Sequence, residues 1–208
     1  MLPVPLLFAS GWASGINAYA VVLLLGLYGR FGHVAAVPPA LEHTGVLIAA
    51  GLGFGCQFLA GKIPYFDSVW DIVHTVIRPV IGGAIGALMA QHSHDPATTA
   101  VAAVALGGGT ALASHGIKTG IRLGINVSPE PVSNILASLA EDLGVGGLIS
   151  FAVFHPLAAA IIAAVLLVIG LVVVILLAAR IRRAWRTRRD RRQQRRPSGG
   201  ALPGPVTR

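Results

Sequence analysis

The sequence predicts an all-α membrane protein, a polytopic bundle of about six helices, and three observations carry that prediction. Of 208 residues, 54% are hydrophobic and only 12% are charged, whereas a soluble domain carries about one quarter charged residues. The apolar residues fall in runs long enough to cross about 30 Å of hydrocarbon. A block of arginines closes the last run, the excess of Lys and Arg that marks a cytoplasmic boundary. Together these features argue against a water-soluble enzyme and leave no length for a separate globular domain. Residues 1–182 read as one membrane domain in the plasma membrane, and residues 183–208 as an Arg-rich, disordered cytoplasmic tail.

Apolar runs punctuated by turn residues put helices near 5–29, 45–61, 67–91, 97–124, 131–153 and 156–182. The first lacks the basic n-region and cleavage site of a signal peptide, so it belongs to the mature chain. It is weakened at Gly11, Ser14 and Gly15, just before Asn17. The second contains Cys56, expected as a small buried hydrophobe. As the single cysteine, it cannot form an internal disulfide. In the third, Pro79 removes a backbone donor and is expected to kink the helix, with Gly82 and Gly83 lowering the cost of bending. Gly116, Gly120 and Gly124 recur every four residues on the fourth and permit close backbone approach. Pro129 and Pro131 bracket Glu130 in an extended turn before the fifth. The sixth is the clearest span, since Leu157 to Ala179 carries no charge over 23 residues.

Six crossings put both termini on the cytoplasmic side, with Lys62, Lys118 and Arg122 inside. The loop His92-Ser93-His94-Asp95 and Arg30 then lie outside. Re-entry of residues 67–77 or 129–143 is the alternative, and it lowers the number of true crossings. The segments 45–91 and 97–153 also resemble each other: each is a Gly-rich helix, a lysine, a proline turn with an acid, and a helix reaching Gly-Gly. They are expected to be two helix-turn-helix hairpins related by an axis along the membrane normal.

Charge divides unevenly along the chain. Arg180 to Arg208 hold eleven arginines against Asp190, or +10, and the remaining five basic and seven acidic residues sum to −2, giving +8 overall. The expected partner of the tail is the anionic inner leaflet, at about 1 kcal/mol per nearby basic residue. Nucleic acid is not expected, because Trp185 alone offers no stacking platform.

Ionisable residues inside apolar spans are the sharpest functional signal, because each costs several kcal/mol unless paired or hydrated. Asp67, Asp71, His74 and Arg78 are spaced i, i+4, i+7, i+11, a single helical stripe. His115, Lys118 and Arg122 form a second stripe, and Glu130, Asn134, Ser138 and Glu141 a third, with Asp142 beside it. Five carboxylates therefore face four cations: Asp67, Asp71, Glu130, Glu141 and Asp142 against Lys62, Arg78, Lys118 and Arg122. Two readings stay open at this point, interhelical ion pairs that only hold the bundle and the lining of a hydrated path. Asn17 is a further cavity candidate. No nucleophile elbow, zinc-protease or Cys-x-x-Cys motif is present, so no catalytic residue and no cofactor is expected. The spacing specifies no metal ligands, and His92, His94 and Asp95 form only a small outer-loop cluster.

Several strings coincide with a known pattern: Gly15-Ile16-Asn17-Ala18-Tyr19, Lys62 through Asp71, His74 to Pro79, and Asn126 through Asn134 with Glu141-Asp142. Over about residues 8–160 they resemble the bacterial membrane family called domain of unknown function 4126. The resemblance implies an integral membrane protein whose polar motif positions are functional, and it implies no activity.

The reading is a transporter or channel for an ion or small polar solute. Asp67, Asp71, Glu130 and Glu141 bind a cation or relay protons, with His74 able to titrate near neutral pH. Arg78, Lys118 and Arg122 counterbalance them or hold an anionic group. The alternatives are a lipid translocator whose groove opens sideways, and a non-transporting scaffold that assembles with a partner or a second copy through its glycine faces.

Overall fold

The computed structural model describes the backbone of residues 2–63, 66–91, 95–125 and 131–194, and the side chains of 2–63, 69–91, 95–124 and 132–183. The elements are α1 (Val4–Gly32), a 3-10 turn (Pro39–Glu42), α2 (Thr44–Ala60), α3 (Phe66–Ala90), α4 (Pro96–Ile125), α5 (Pro131–Phe154) and α6 (Pro156–Gln194). Among the described residues there is no strand.

The first span is not a crossing. At Asn17 the backbone leaves helical geometry (φ −146°, ψ 89°), and α1 folds back on itself as two arms, residues 4–16 and 18–32. As a straight helix, Pro3 and Gly29 would stand about 39 Å apart at 1.5 Å per residue. Instead both line one cavity of about 370 Å³, together with Met89 at the end of α3. Neighbouring contacts give the same directions. The first arm runs parallel to α4, with Ser114 Oγ donating to Trp12 O (2.7 Å) and Lys118 Nζ to Ile16 O (3.1 Å). The second arm runs parallel to α5, with Asn17 on Asp142 and Tyr28 edge-on to Phe154. Each arm is about 20 Å long, short of the hydrocarbon thickness. The hairpin therefore enters from one face and stops inside the bundle.

The five remaining helices run from face to face. α2 descends antiparallel to the second arm, where Tyr19 lies against Gly53 and Leu47 against Gly26. Its 17 residues sit at the short end of what spans a bilayer. α3 returns and packs antiparallel on α4, the most extensive helix pair in the fold, with Gly82 and Gly86 against Gly107 and Ala103. α6 runs parallel to α4, placing Val174 on Gly120 and Leu177 on Gly124. The α2–α3 and α4–α5 turns thus fall at one face. The start of α1 and the end of α6 lie at opposite ends of the bundle, where six crossings predict a shared end. α3 and α5 do not re-enter.

Other corrections have local causes. Pro79 sits inside α3, which runs on as helix beyond it and packs along α4. Cys56 is exposed on the lipid-facing side of α2, and Gly116 faces open space. α6 runs on as helix to Gln194, where residues 183–194 hold good helix formers and no proline. Asp95 receives the Thr98 amide at 3.4 Å before α4, and Thr98 holds this carboxyl below the usual carboxylate range.

Burial follows from this layout. α1 forms the centre: Leu6, Leu7, Val21 and Leu25 are fully enclosed, with Ile85 and Ile149 packed among them. Ile72, Val73, Val76 and Val80 of α3 and most of α6 point outward, the faces an apolar solvent covers.

The close approach of α1 to α4 yields a test. A Cβ on Gly15 would collide with Ser114 Oγ and the Ala111 carbonyl, whereas one on Gly116 meets nothing. Gly15→Ala should therefore destabilise the protein in micelles by about 1–3 kcal/mol, as overpacking does. Gly116→Ala should leave the melting temperature unchanged or raise it.

Candidate functional site

A chain break inside an apolar bundle frees backbone groups that must find partners. Here the break is Asn17. Its Oδ1 accepts the Ala20 amide at 3.1 Å and caps the second arm. That orientation turns the amide NH2 toward Asp142, donating to Oδ1 at 2.9 Å. On the other side, the last carbonyls of the first arm are freed. Gly15 O accepts from Arg78 Nη1 at 3.3 Å, and Ile16 O accepts from both Lys118 Nζ and Gln57 Nε2 at 3.1 Å. Cations thus meet the negative end of one helix dipole, while a carboxylate lies by the positive end of the other.

These groups belong to a larger ionic network. Arg78 Nη2 pairs with Asp71 Oδ1 at 2.8 Å, and Lys118 Nζ lies 3.6 Å from the same oxygen and 3.2 Å from Glu141 Oε2. Arg122 forks onto Glu141 with Nε and Nη2 both at 3.0 Å, the bidentate geometry that makes such pairs strong. Its Nη1 donates to Asn134 Oδ1 at 2.6 Å, and Asn134 Nδ2 reaches Gly61 O at 3.3 Å. The backbones of α4 and α5 barely touch here, so these long side chains bridge the gap. At the rim, Lys62 Nζ stands 3.9 Å from Asp142 Oδ2 and 3.0 Å above the Phe58 ring. Desolvation pushes the Lys62 ammonium below its ordinary range, against the opposing pull of Asp142.

Hydrogen-bond logic fixes both histidines. Arg78 can only donate, so His115 Nδ1 accepts its 2.6 Å bond. Thr75 spends its hydroxyl proton on Asp71 O, so His115 Nε2–H donates to Thr75 Oγ1 at 3.0 Å. His74 Nδ1–H donates to Trp70 O at 2.7 Å, leaving Nε2 as acceptor for the Tyr19 hydroxyl at 3.1 Å.

All three stripes expected from spacing therefore converge on the α1 break: Asp71, His74 and Arg78 from α3; His115, Lys118 and Arg122 from α4; Asn134, Ser138, Glu141 and Asp142 from α5. The Asp67 side chain and Glu130, expected in the site, and the outer-loop His92 and His94 lie outside the described residues. Spacing missed Gln57, Thr75, Tyr19 and Ser114. Gln57 is the one amide in an otherwise apolar helix, a signal the sequence did carry.

An open hydrated lining is not what these groups form. Among them lies a cavity of about 10 Å³, walled by Gln57, Trp70, Asp71, Lys118, Ser138 and Glu141 among others. That is room for a single water. The reason is pairing: each long side chain is drawn across the gap by an opposite charge. Among the described residues, no three His, Cys, Asp or Glu side chains group to hold a metal ion.

The pairs differ in depth, and their removal should differ accordingly. Arg78 is fully enclosed, whereas Lys62 is partly exposed at its rim position. Arg78→Met strands a buried carboxylate and should cost about 3–5 kcal/mol in thermal or denaturant unfolding. Lys62→Met should cost no more than about 1 kcal/mol.

No curated protein and no solved structure matches the chain. The family described as Domain of unknown function (DUF4126) matches residues 4–176, a stretch that includes both arms of α1 and every side chain of the network. The chain belongs to that family.

Proposed function

We propose that this membrane protein transports an ion or small polar solute, with the α1 hairpin as the element that moves and the ionic network as the lock that holds it closed. The observation that carries this reading is the broken helix itself. Half-helix ends at membrane depth are how discontinuous transporter helices present carbonyls to cations and amides to anions. In this chain those ends are taken by Arg78, Lys118, Gln57 and, through Asn17, Asp142. A solute competes for the same positions by displacing the side chains.

Access from two sides supports the reading. On the hairpin's open end lies the cavity of about 370 Å³, lined by Gly29, His33 and Glu42. Opposite, Lys62, Glu141 and Asp142 keep partial exposure. Between them, Leu6, Leu7, Leu25 and Ile85 form a dry plug, the feature of a closed state. The arginine-bearing end of α6 faces the cytoplasm in this proposal, since basic residues gather there.

One observation favours lipid translocation as a second reading. An apolar groove of about 380 Å³ runs beside α1 between α4, α5 and α6, and Lys118 and Glu141 lie in its wall. An acyl chain fits such a groove with its head at the charged wall.

Reconstituted vesicles separate the readings. Wild-type protein should pass at least one member of a panel of ions and small polar solutes, and Asp71→Asn and Arg78→Gln should reduce that flux at least tenfold in samples that still melt cooperatively. Scrambling of labelled lipid without solute flux moves the assignment to the groove. Neither activity, or flux untouched by both variants, removes the network from a transport role.

A further inference from the structure

We propose that the small cavity at the hairpin tip is a proton-binding site, in which Asp142 Oδ2 takes up a proton and shares it, through one water, with Gln57 Oε1. The transported or coupling ion is then the proton, a role that rests on the transport reading, whereas the site itself stands on hydrogen-bond accounting.

Two buried acceptors there have no hydrogen-bond partner, Gln57 Oε1 and Asp142 Oδ2, and both residues line the cavity. Neither can be turned to relieve the other. Gln57 is fixed because Nε2 donates to Ile16 O, which can only accept, so Oε1 points away from that bond. Asp142 is fixed because Oδ1 receives the Asn17 amide, itself oriented by the Ala20 cap. An unsatisfied buried acceptor costs about 1–3 kcal/mol. Two such acceptors, on residues that line one water-sized space, call for hydrogen, and a water donates two. A water alone satisfies both oxygens; a proton on Oδ2 turns that oxygen into a donor, and the water then accepts from it and donates to Gln57.

A buried carboxylate oxygen without a partner is relieved by taking up a proton, and the surrounding charges and space exclude a metal cation. Lys118 and Arg122 line the same cavity and Lys62 stands at its mouth, so a metal ion meets three fixed positive charges in a space too small for an oxygen shell. Glu141 and Asp71 share this wall, but their carboxylates are engaged by Arg122, Lys118 and Arg78. Among the described residues, Asp142 Oδ2 is the one buried carboxylate oxygen without a hydrogen-bond partner, and Lys62 approaches it to 3.9 Å. Protonation removes its negative charge: a solvent proton forms the O–H bond on Oδ2, and nothing is oxidised or reduced. The pull on Lys62 falls, and the Asn17 amide loses its charge-assisted acceptor at the hinge of α1. One proton thereby loosens the residue that caps the moving arm.

The test is infrared difference spectroscopy of the full chain in lipid nanodiscs, recorded on acidification in light and heavy water. A protonated-carboxyl C=O band should appear in wild type, be lost in Asp142→Asn, and shift in frequency in Gln57→Leu, where its hydrogen-bonded partner is gone. Asp95→Asn should leave that component in place. A spectrum unchanged by Asp142→Asn overturns the proposal, as does a band that responds to sodium but not to pH. If Asp142→Asn does not fold, the Gln57→Leu shift decides. Silent vesicles with an intact Asp142 band would leave the proton site standing and remove only the transport reading.

Discussion

Hydrogen bonds left open by a helix that breaks inside hydrocarbon must be closed by something other than water. Each open group costs several kcal/mol in such surroundings. The rest of this structure is organised by that requirement at Asn17. The two freed carbonyls draw in Arg78, Lys118 and Gln57; those cations in turn require Asp71 and Glu141; Glu141 recruits Arg122, and Arg122 recruits Asn134. Every helix except α6 contributes a side chain or carbonyl to this chain of obligations. α6 instead covers the outside, where Val174 and Leu177 fill the space above Gly120 and Gly124.

Much of the site was legible because charge in an apolar span is a strong and local signal. Helical spacing put Asp71, His74 and Arg78 on one stripe and His115, Lys118 and Arg122 on another, and the fold turns both stripes inward. The direction of α1 was not legible. Its residues are mostly apolar, so composition reads it as one crossing, and the information that it reverses lies in contacts far apart in sequence: Gly15 with Ser114, Tyr28 with Phe154. The weak point at Gly11, Ser14 and Gly15 before Asn17 was legible, and the structure breaks α1 there; the two glycines also carry the packing. They are small because the first arm lies directly on α4, and Asn17 follows because asparagine caps a new helix start. The hydration of the centre also escaped the sequence, since spacing says which side chains meet and not how far each reaches toward its opposite charge.

The network and the plug answer different needs. Paired charges at the tip make the packing of the hairpin specific, because shifting it by one residue would leave carbonyls and guanidinium groups out of reach together. The leucines above the tip make it tight. α1 is thus held by polar contacts at its tip and by apolar and glycine packing along its arms, while α3 and α4 are clamped through their own glycine contacts.

The reversal of α1 is the point from which all else follows, and a distance in the bilayer measures it. Spin labels at positions 3 and 33, in a Cys56→Ser background, report the separation of the hairpin's two ends by pulsed electron resonance. The folded-back arrangement predicts a single short distance, with both labels beside the cavity that Pro3 and His33 line together. A distribution centred near about 45 Å, the length of thirty helical residues, would mean that α1 crosses the membrane in one pass, and the tip, the lock and the proton site would all be lost with it.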